Sequence, residues 1–288
     1  MKVLVLGAGG QLGQALRRTA PSRHEVIGRT RTELDIVDAS AVEREMAREK
    51  PDWILNAAAY TAVDLAEDEP ARAGAINDTA VGTLAKAAAA ASSRLIHVST
   101  DFVFDGAANR AYRPEDAPRP LSAYGTGKRA GELKALAAGC EAIVLRTGWV
   151  YASAGRNFAL TMLKLMRERE QVRVVGDQIG TPTWARGLAC AIWDLVDGGA
   201  PAGIYHWSDL GVASWYDFAV AIQDEALERG LLPRAASIVP ISTAEYPTRA
   251  RRPAFSVLDT SATRARVATP ALHWRHNLRM MLDELRTH

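Results

Sequence analysis

The chain has 288 residues, a length that suits either one large α/β domain or a dinucleotide-binding domain with a smaller partner. Its 48% hydrophobic and 24% charged residues disfavour disordered, collagen-like and membrane proteins. A net charge of +2 gives no reason to expect nucleic acid or an anionic membrane surface as a partner.

No apolar run approaches the roughly 20 residues that cross a bilayer. A strand-like run begins at Lys2 and leaves no room for a signal peptide, so we expect a cytoplasmic protein. The two cysteines, Cys140 and Cys190, stand in apolar stretches without CxxC spacing or a neighbouring histidine. This pattern indicates buried free thiols rather than a zinc site.

Five short apolar runs in the first half predict strands at residues 3–6, 25–28, 53–56, 94–99 and 142–146. Continuous, β-branched runs of this kind are typical of a parallel sheet covered on both faces. Helical patterns between them, at residues 11–19, 70–91 and 122–138, supply the crossovers that parallel strands require. The predicted fold is an α/β doubly wound parallel Rossmann sheet.

The second half is less regular and predicts a strand at residues 172–175 and helices at residues 157–169, 184–197, 215–229 and 272–286. We therefore expect an NAD(P)-binding domain at residues 1–148, with its sheet completed by later segments. A smaller, interleaved substrate domain should occupy mainly residues 149–288.

The first cofactor signal is GAGGQLG at residues 7–13, between the first predicted strand and the first predicted helix. Gly7 permits a tight turn, Gly10 lets backbone N–H groups approach a pyrophosphate, and Gly13 allows close helix-to-strand packing. A glycine-rich turn without a ligand is the alternative, because such a string alone is a weak motif.

The second predicted strand is followed by Arg29, Thr30 and Arg31, without the acidic residue that binds a ribose 2′-hydroxyl. This favours the 2′-phosphate of NADPH, with NADH as an alternative cofactor. Arginines that only solvate a loop are the competing interpretation. Asp35, together with Ile36, could hold the adenine side of the cofactor.

Tyr124 and Lys128 stand four residues apart in YGTGK, at the start of a helical pattern, so both can lie on one helix face. A phenol with a pKa of about 10 exchanges protons poorly at neutral pH unless a cation such as Lys128 favours its ionised form. Tyr124 can then protonate a carbonyl oxygen as hydride reaches the carbonyl carbon. Ser99 or Thr100, at a strand end, can hydrogen-bond the same oxygen. An isolated Tyr-x-x-x-Lys is more often a solvated helix face.

Together these residues resemble the extended short-chain dehydrogenase/reductases and, more closely, the dTDP-4-dehydrorhamnose reductases among them. Similar signatures run in order through nearly the whole chain. They are GAGGQLG at 7–13, LDIVD at 34–38, NAAAYTAVDLAE at 56–67, STDFVFDG at 99–106, YGTGK at 124–128, RTGWVY at 146–151, DQIGTPT at 177–183 and RRPAFSVLD at 251–259.

The resemblance implies NADPH-dependent reduction of the C4 keto group of a dTDP-linked 4-keto-6-deoxyhexose, which yields dTDP-L-rhamnose for cell-surface polysaccharide. It implies that Thr100 and Tyr124 face the sugar C4 oxygen and that Lys128 contacts the nicotinamide ribose. Asp101 and Trp149 would contact the sugar ring, although a core tryptophan is the alternative for Trp149. The residues implied to line the cofactor are Gly10, Gln11, Leu12, Asp35, Ile36, Ala59, Tyr60, Thr61 and Val98.

The segment PTRARRP at 247–253 is the strongest basic cluster of the sequence. In an enzyme for a diphosphate sugar its natural partner is a pyrophosphate, with Arg249 and Arg252 as candidate ligands. Asn157 and Phe158 are further candidates beside the nucleotide. A solvated, positively charged loop is the alternative for any single arginine.

The sequence also departs from the family pattern. Some members form a dimer around a divalent cation held by three glutamates, and the aligned places here carry Ala15, Arg186 and, near the C-terminus, Arg275. Because alanine and arginine cannot bind a cation, we expect no structural metal and a monomer or weak homodimer. Phe102 stands where a tyrosine is common in relatives.

Two other functions use the same sequence features. Another nucleotide-sugar reductase or epimerase could use the same Tyr and Lys, whereas a dehydratase should carry an acidic pair after Thr100, and here Phe102 follows Asp101. A non-catalytic regulatory subunit of the methionine adenosyltransferase type is a further alternative. The presence of Thr100, Tyr124 and Lys128 argues against it.

Overall fold

The computed structural model describes residues 1–286 and is built around a six-stranded sheet. Its strands are β1 (Lys2–Leu6), β2 (Glu25–Arg29), β3 (Trp53–Asn56), β4 (Arg94–Thr100), β5 (Ala142–Thr147) and β10 (Gly203–His206). Their order in the sheet is β10-β5-β4-β3-β1-β2, and every neighbouring pair is parallel. The predicted doubly wound parallel fold is confirmed.

Helices cover both faces of this sheet because its strands are apolar on both sides. One face packs against the helices α1 (Gln11–Arg18) and α8 (Ala185–Asp197). The other packs against α2 (Ala39–Glu49), α5 (Ala80–Ala90) and α6 (Ala123–Ala137). Asp38 caps α2 by accepting a hydrogen bond from the backbone N–H of Ala41, which helps to begin a helix that the sequence patterns did not predict.

The predicted helix at residues 70–91 is interrupted. After the short helix α3 (Leu65–Asp68), α4 (Pro70–Gly74) runs into a π-helical turn at Ala75–Thr79 before α5 begins. Asn77 in this turn has its amide bonded to both backbone groups of Tyr60, at 2.9 Å each. The π-helical turn therefore fixes the loop that follows β3, and such turns are frequent at functional sites.

The remaining elements build a second core from α7 (Phe158–Glu168), α9 (Trp215–Glu228) and α11 (Trp274–Arg286), which pack on the parallel pair β7 (Gln171–Val175) and β12 (Ser237–Ile241). Two short strand pairs and one helix complete the set: the parallel pair β6 (Val150–Tyr151) and β9 (Thr183–Trp184), the antiparallel pair β8 (Ile179–Gly180) and β11 (Ala213–Ser214), and α10 (Ser261–Arg264).

The two halves of the chain are interleaved. The strand β10 and the helix α8 belong to the second half, yet they complete the main sheet and cover one of its faces. Within residues 1–286, the helices are too short or too polar to cross a membrane. Cys140 and Cys190 are free thiols as expected, but both are half-buried rather than fully buried.

The close approach of α6 to the π-helical turn depends on Gly131. A Cβ atom at Gly131 would lie 2.2 Å from the carbonyl oxygen of Asn77, whereas a Cβ at Gly127, one turn earlier, would lie 3.5 Å from the Cβ of Asn77. We predict that Gly131→Ala lowers the free energy of unfolding by about 1–3 kcal/mol, because the backbone must move apart. Gly127→Ala should be neutral or stabilise the protein by up to about 1 kcal/mol through helix propensity.

Urea denaturation of both variants measures this difference, and Gly127→Ala is the matched control in the same helix. Equal stability of the two variants would show that the contact with Asn77 does not limit how closely α6 packs.

Candidate active site

The helix α6 carries both members of the Tyr-x-x-x-Lys pair. Ser122 caps its N-terminus by accepting a hydrogen bond from the backbone N–H of Gly125 at 3.2 Å. Tyr124 thus lies in the first turn, and Lys128 lies one turn later on the same face. A Cβ at Gly125 would lie 2.3 Å from the carbonyl oxygen of Phe102, so the helix begins directly against the segment that follows β4.

The end of β4 presents two hydroxyls, and the structure separates them. Side chains alternate along a strand, so Ser99 and Thr100 point to opposite faces of the sheet. Ser99 donates to Glu132 at 2.6 Å and is engaged inside the protein. The Thr100 hydroxyl instead donates to Asp101 at 3.0 Å and lies close enough to the Tyr124 phenol to affect its pKa. Thr100, as predicted from the sequence, lies beside the tyrosine.

The pKa of Tyr124 differs from the sequence expectation. Burial raises it to about 12, the nearby charge of Asp101 adds to the rise, and the nearby Thr100 hydroxyl opposes it. A cationic Lys128 was expected to depress this pKa, but removal of the phenol from water outweighs any such effect. At neutral pH the phenol is therefore protonated and can act as a proton donor.

Lys128 is fully buried behind the tyrosine. Its Nζ atom donates to the carbonyl oxygen of Val98 at 2.7 Å and lies 3.2 Å from the Nε2 atom of His97. Burial lowers the pKa of Lys128 to about 8, against the attraction of Glu132 one turn further along α6. A buried amine with this pKa changes charge close to neutral pH.

A buried ion pair anchors the same helix to the sheet. Glu132 on α6 accepts two hydrogen bonds from Arg146 on β5, each 2.8 Å long, and both side chains are fully buried. Burial alone would raise the pKa of Glu132, but hydrogen bonds and charge from Arg146 hold it below its usual value. Arg129 and Ser99 donate to the same carboxylate, so its oxygens are well satisfied.

Asp101 follows Thr100 and is also buried. Burial raises the pKa of its carboxyl to about 6, although hydrogen bonds from Ser256 and Thr100 oppose the shift. A Cβ at Gly148 would lie 2.6 Å from this carboxyl group, so glycine is required where the chain after β5 passes it. The carboxyl group is thus held beside the Thr100 hydroxyl.

Trp149 adopts an unusual backbone conformation, with φ at +52°. Its indole stacks on that of Trp215, with ring centroids 3.4 Å apart and planes 2° from parallel. A Cβ at Gly180 would lie 2.5 Å from the indole of Trp149, so Gly180 makes room for the ring. A non-glycine residue at positive φ stores strain that is common at ligand sites.

Sequence reasoning missed Trp215, which appeared only as the first residue of a helical pattern. Its Nε1 donates to Gln178 at 3.2 Å, and Phe158 packs against it with a centroid distance of 4.6 Å. Phe158, predicted to lie near the nucleotide, is therefore part of this aromatic wall. The cluster of aromatic residues in SWYDF was the signal that could have suggested it.

The glycine loop has the backbone that a pyrophosphate requires. Gly7 has φ at +74°, and a Cβ there would lie 2.7 Å from the backbone nitrogen of Ala58. A Cβ at Gly13 would lie 2.2 Å from the Gly7 carbonyl oxygen. Gly10 precedes α1, whose N-terminus has no side-chain cap. Backbone N–H groups at the start of α1, including those of Gln11 and Leu12, can therefore bind an anion.

The contacts of Arg29 differ from the sequence interpretation. Its guanidinium donates to Glu45 at 2.6 Å and to Glu49 at 3.1 Å, both on α2. In this structure its charge is therefore paired with carboxylates of α2, and its role as a ligand of the 2′-phosphate stays a prediction. Arg17 on α1 also lies at this end of β2, because a Cβ at Gly28 would lie 2.9 Å from its side chain.

Other residues predicted to line the cofactor lie at or near the carboxyl ends of the same strands. The Asp35 carboxylate accepts a hydrogen bond from the backbone N–H of Val37 at 3.1 Å. Ile36 is buried in the core under the loop after β2. Ala59, Tyr60 and Thr61 follow β3, where Asn77 holds the backbone of Tyr60, and Val98 lies near the end of β4.

Asn157 is committed to the junction between the glycine loop and α7. Its amide nitrogen donates to Gln11 and to the carbonyl oxygen of Ala152, at 2.9 Å each, and its oxygen caps α7 by accepting from Leu160. Asn157 therefore connects Gln11 to the start of α7, and its role beside the nucleotide stays a prediction.

The basic loop at residues 247–253 is paired with acidic side chains near α3. Arg249 forms an ion pair with Asp68, and Arg252 pairs with Asp64 at 2.7 Å. Asp64 also accepts from the backbone N–H of Ala250 at 3.2 Å. The Nε atom of Arg252 is buried and has no hydrogen-bond partner within the part of the chain that the structure describes. In this structure the two predicted phosphate ligands, Arg249 and Arg252, are therefore paired with carboxylates.

Comparisons with known proteins agree with this geometry. The family described as "RmlD substrate binding domain" matches residues 1–287. A dTDP-4-dehydrorhamnose reductase of Burkholderia thailandensis is 41% identical over 99% of both chains. The chain belongs to the dTDP-4-dehydrorhamnose reductase family.

Solved structures of this family have the same fold. The dTDP-4-dehydrorhamnose reductase of Clostridium acetobutylicum superposes with a TM-score of 0.94 and 34% identity, covering 99% of this chain and all of the other. That of Bacillus anthracis, solved in complex with NADP, gives 0.93 and 32% identity, covering 98% of this chain and 99% of the other.

Two of the positions at which the sequence departs from the expected family pattern lie together in the fold. Ala15 and Arg186 line one cavity together with Glu284, which forms an ion pair with Arg186 at 3.1 Å. The C-terminal residue that faces this cavity is thus Glu284 and not Arg275, which pairs with Asp224 on α9. Among residues 1–286, no group of three or more His, Cys, Asp or Glu side chains is arranged to hold a metal ion.

The raised pKa of Asp101 predicts a pH dependence of stability. Below pH 3.8 the carboxyl is neutral in both states; between pH 3.8 and about 6 only the unfolded chain ionises, so stability falls as pH rises. Above about pH 6 the raised pKa of Asp101 lowers the free energy of unfolding by up to about 3 kcal/mol. We predict that Asp101→Asn removes this loss, so the variant gains stability relative to the wild type between about pH 4 and pH 7.

Urea denaturation at both pH values gives the comparison. Asp105→Asn is the matched control, because hydrogen bonds from Ala107 and Tyr112 lower the pKa of Asp105 and its replacement should act in the opposite direction. A stability difference between Asp101→Asn and the wild type that is independent of pH would contradict the raised pKa.

Proposed function

We propose that the protein catalyses the NADPH-dependent reduction of the C4 keto group of dTDP-4-dehydro-L-rhamnose to dTDP-L-rhamnose, the last step of dTDP-rhamnose biosynthesis. The observation that carries this proposal is that the Thr100 hydroxyl lies beside the protonated Tyr124 phenol, with buried Lys128 on the same helix, in a member of this reductase family. These groups follow the carboxyl ends of parallel strands, where ligands of doubly wound folds bind.

The glycine loop and the ends of β1 to β4 fit a dinucleotide. The uncapped N-terminus of α1 after Gly10 would hold the pyrophosphate, and Arg17 would lie near the 2′-phosphate. When bound there, NADPH would supply the hydride for the substrate carbon, and NADH is the alternative cofactor. We assign cofactor binding mainly to residues 1–148 and to the later segments that complete the sheet.

The proton comes from Tyr124. As the substrate C4 oxygen gains negative charge, the phenol of Tyr124 donates its proton to it, and the Thr100 hydroxyl can hydrogen-bond the same oxygen. A phenol with a pKa of about 12 is fully protonated at neutral pH, which suits reduction. The ammonium form of Lys128 stabilises the phenolate that remains.

Residues 149–288 mainly bind the sugar nucleotide. Trp149 offers an apolar indole face to the sugar, and Asp101 lies beside the catalytic hydroxyl. Arg252 and Arg249 bind the diphosphate after exchanging their carboxylate partners for phosphate oxygens. We further propose a cytoplasmic enzyme, active as a monomer or weak homodimer, since the cavity beside Ala15 holds an ion pair in place of a set of acidic ligands.

We predict that Tyr124→Phe lowers kcat by about 10²–10⁴-fold, because the ring remains while the transferable proton is lost. The assay incubates the purified chain with dTDP-4-keto-L-rhamnose and NADPH and follows the absorbance of the reduced cofactor. Binding of NADPH, measured by calorimetry, should change little in the variant and serves as its control.

The same assay decides among the competing functions. A wild-type protein without turnover on this substrate would favour the regulatory-subunit or epimerase alternatives. Full turnover by Tyr124→Phe would exclude Tyr124 as the proton donor.

Binding of the diphosphate by the basic loop can be tested through KM. Arg252→Ala should raise KM for the sugar nucleotide about 10- to 100-fold with little change in kcat, because a charge-assisted hydrogen bond to phosphate is lost. Asp64→Asn, which frees Arg252 from its ion pair, should lower KM or leave it unchanged. Arg251→Ala is the control, since that side chain is exposed at the surface.

Steady-state kinetics of the three variants give this comparison. If KM stays at the wild-type value in Arg252→Ala and in the corresponding Arg249 variant, the basic loop does not bind the diphosphate.

A further inference from the structure

A chain of buried polar groups lies behind Lys128 and is not used by the mechanism above. His97 on β4 stands between Asn56, at the end of β3, and Lys128 on α6. The Nδ1 atom of His97 is 3.1 Å from the Nδ2 atom of Asn56, and its Nε2 atom is 3.2 Å from Nζ of Lys128. All three side chains are buried.

The backbone fixes the direction of these hydrogen bonds. The N–H of Ala58 donates to Oδ1 of Asn56 at 3.1 Å, and a backbone N–H can only donate. The amide of Asn56 therefore keeps its oxygen toward Ala58 and its NH₂ group toward His97. Because that NH₂ group can only donate, Nδ1 of neutral His97 must accept, and the ring proton lies on Nε2.

This tautomer aims an N–H at Lys128. An amine can accept that hydrogen bond through its lone pair, whereas an ammonium has no acceptor. Both the amine and the ammonium form of Lys128 can donate a hydrogen bond to the Val98 carbonyl oxygen. We infer that His97, held as its Nε2–H tautomer by Asn56, is a positioning residue that lowers the proton affinity of Lys128 in the proposed reductase reaction.

The charged groups around Lys128 are consistent with this role. Tyr124 and Glu132 flank it on α6, Asp101 lies beside Tyr124, and the Glu132 carboxylate is bound by Arg146 from β5 and by Arg129. Burial, followed by the charge of Lys128, lowers the pKa of His97 well below 6.5, so the ring is neutral. Burial likewise lowers the pKa of Lys128 to about 8.

Protonation of Lys128 is thus coupled to the tautomer of His97. Nε2 of His97 can accept a hydrogen bond from a Lys128 ammonium only if the ring proton moves to Nδ1. There the proton would point at the NH₂ group of Asn56, which is also a donor. Since the ammonium stabilises the tyrosinate in the proposed reaction, activity should fall as Lys128 loses its proton on the basic side. With His97 present, Lys128 should lose its proton at a lower pH than burial alone would cause.

The first test measures the tautomer in the full chain without nucleotide or substrate. Long-range ¹H–¹⁵N NMR of ¹⁵N-histidine-labelled protein should show His97 protonated on Nε2 and not on Nδ1, with its signals assigned from their absence in His97→Gln. His206 is an internal control of the opposite type: its Nδ1 lies 3.0 Å from the Tyr112 carbonyl oxygen, and its Nε2 faces Arg146 at 3.4 Å. A His97 ring protonated on Nδ1, or on both nitrogens at neutral pH, overturns the inference.

The second test separates tuning from a structural role. His97→Leu removes the donor, so the basic limb of the pH profile of kcat should move up by about one to two pH units. The glutamine of His97→Gln can accept a hydrogen bond from Asn56 and donate one to Lys128. The basic limb of its pH profile should therefore stay within about 0.3 pH units of the wild type's.

Equal shifts in both variants, or no shift in His97→Leu, contradict the inference. The NMR measurement needs no turnover and does not depend on the leucine variant. It therefore tests the tautomer of His97 even if the proposed reaction fails or His97→Leu does not fold.

Discussion

The buried bidentate ion pair between Glu132 and Arg146 is the interaction on which the candidate site depends. It joins α6, which carries Tyr124 and Lys128, to β5, which lies between β10 and β4 in the sheet. Loss of one partner would leave an uncompensated charge in the core, which costs about 3–5 kcal/mol. The Glu132 carboxylate also accepts a hydrogen bond from Ser99, whose side chain points away from that of Thr100 because side chains alternate along β4. The ion pair thus keeps Ser99 engaged inside the protein, while Thr100 lies beside Tyr124.

Burial controls the ionisation of the groups around this anchor. The pKa values of Tyr124 and Asp101 are raised, to about 12 and about 6, and that of Lys128 is lowered to about 8. Each shift favours the uncharged form, as expected where side chains leave water. The result is a site that keeps its proton donor protonated while the lysine stays close to its titration point. This balance suits transfer of hydride and a proton to a carbonyl group.

The periodicity of the sequence predicted the first five strands and the helices that carry the glycine loop and the Tyr-Lys pair. These elements have strong local signals: continuous apolar runs, glycine spacing, and a serine cap before YGTGK. The predictions failed where the signal was not local. The strand β10 is only four residues long and gains its stability from pairing with β5, and the π-helical turn at Ala75–Thr79 arises where α4 and α5 pack on α6.

The sequence by itself determined the fold class, the family resemblance, and the residue types that carry the chemistry. Only the tertiary structure decided which partners they have: Arg29 binds carboxylates of α2, Asn157 binds Gln11, and Trp215 stacks on Trp149. The physical reason is that spacing along a chain records local backbone geometry. Hydrogen bonds, stacking and burial depend on residues brought together from distant positions, and these contacts set both the direction of a side chain and its pKa.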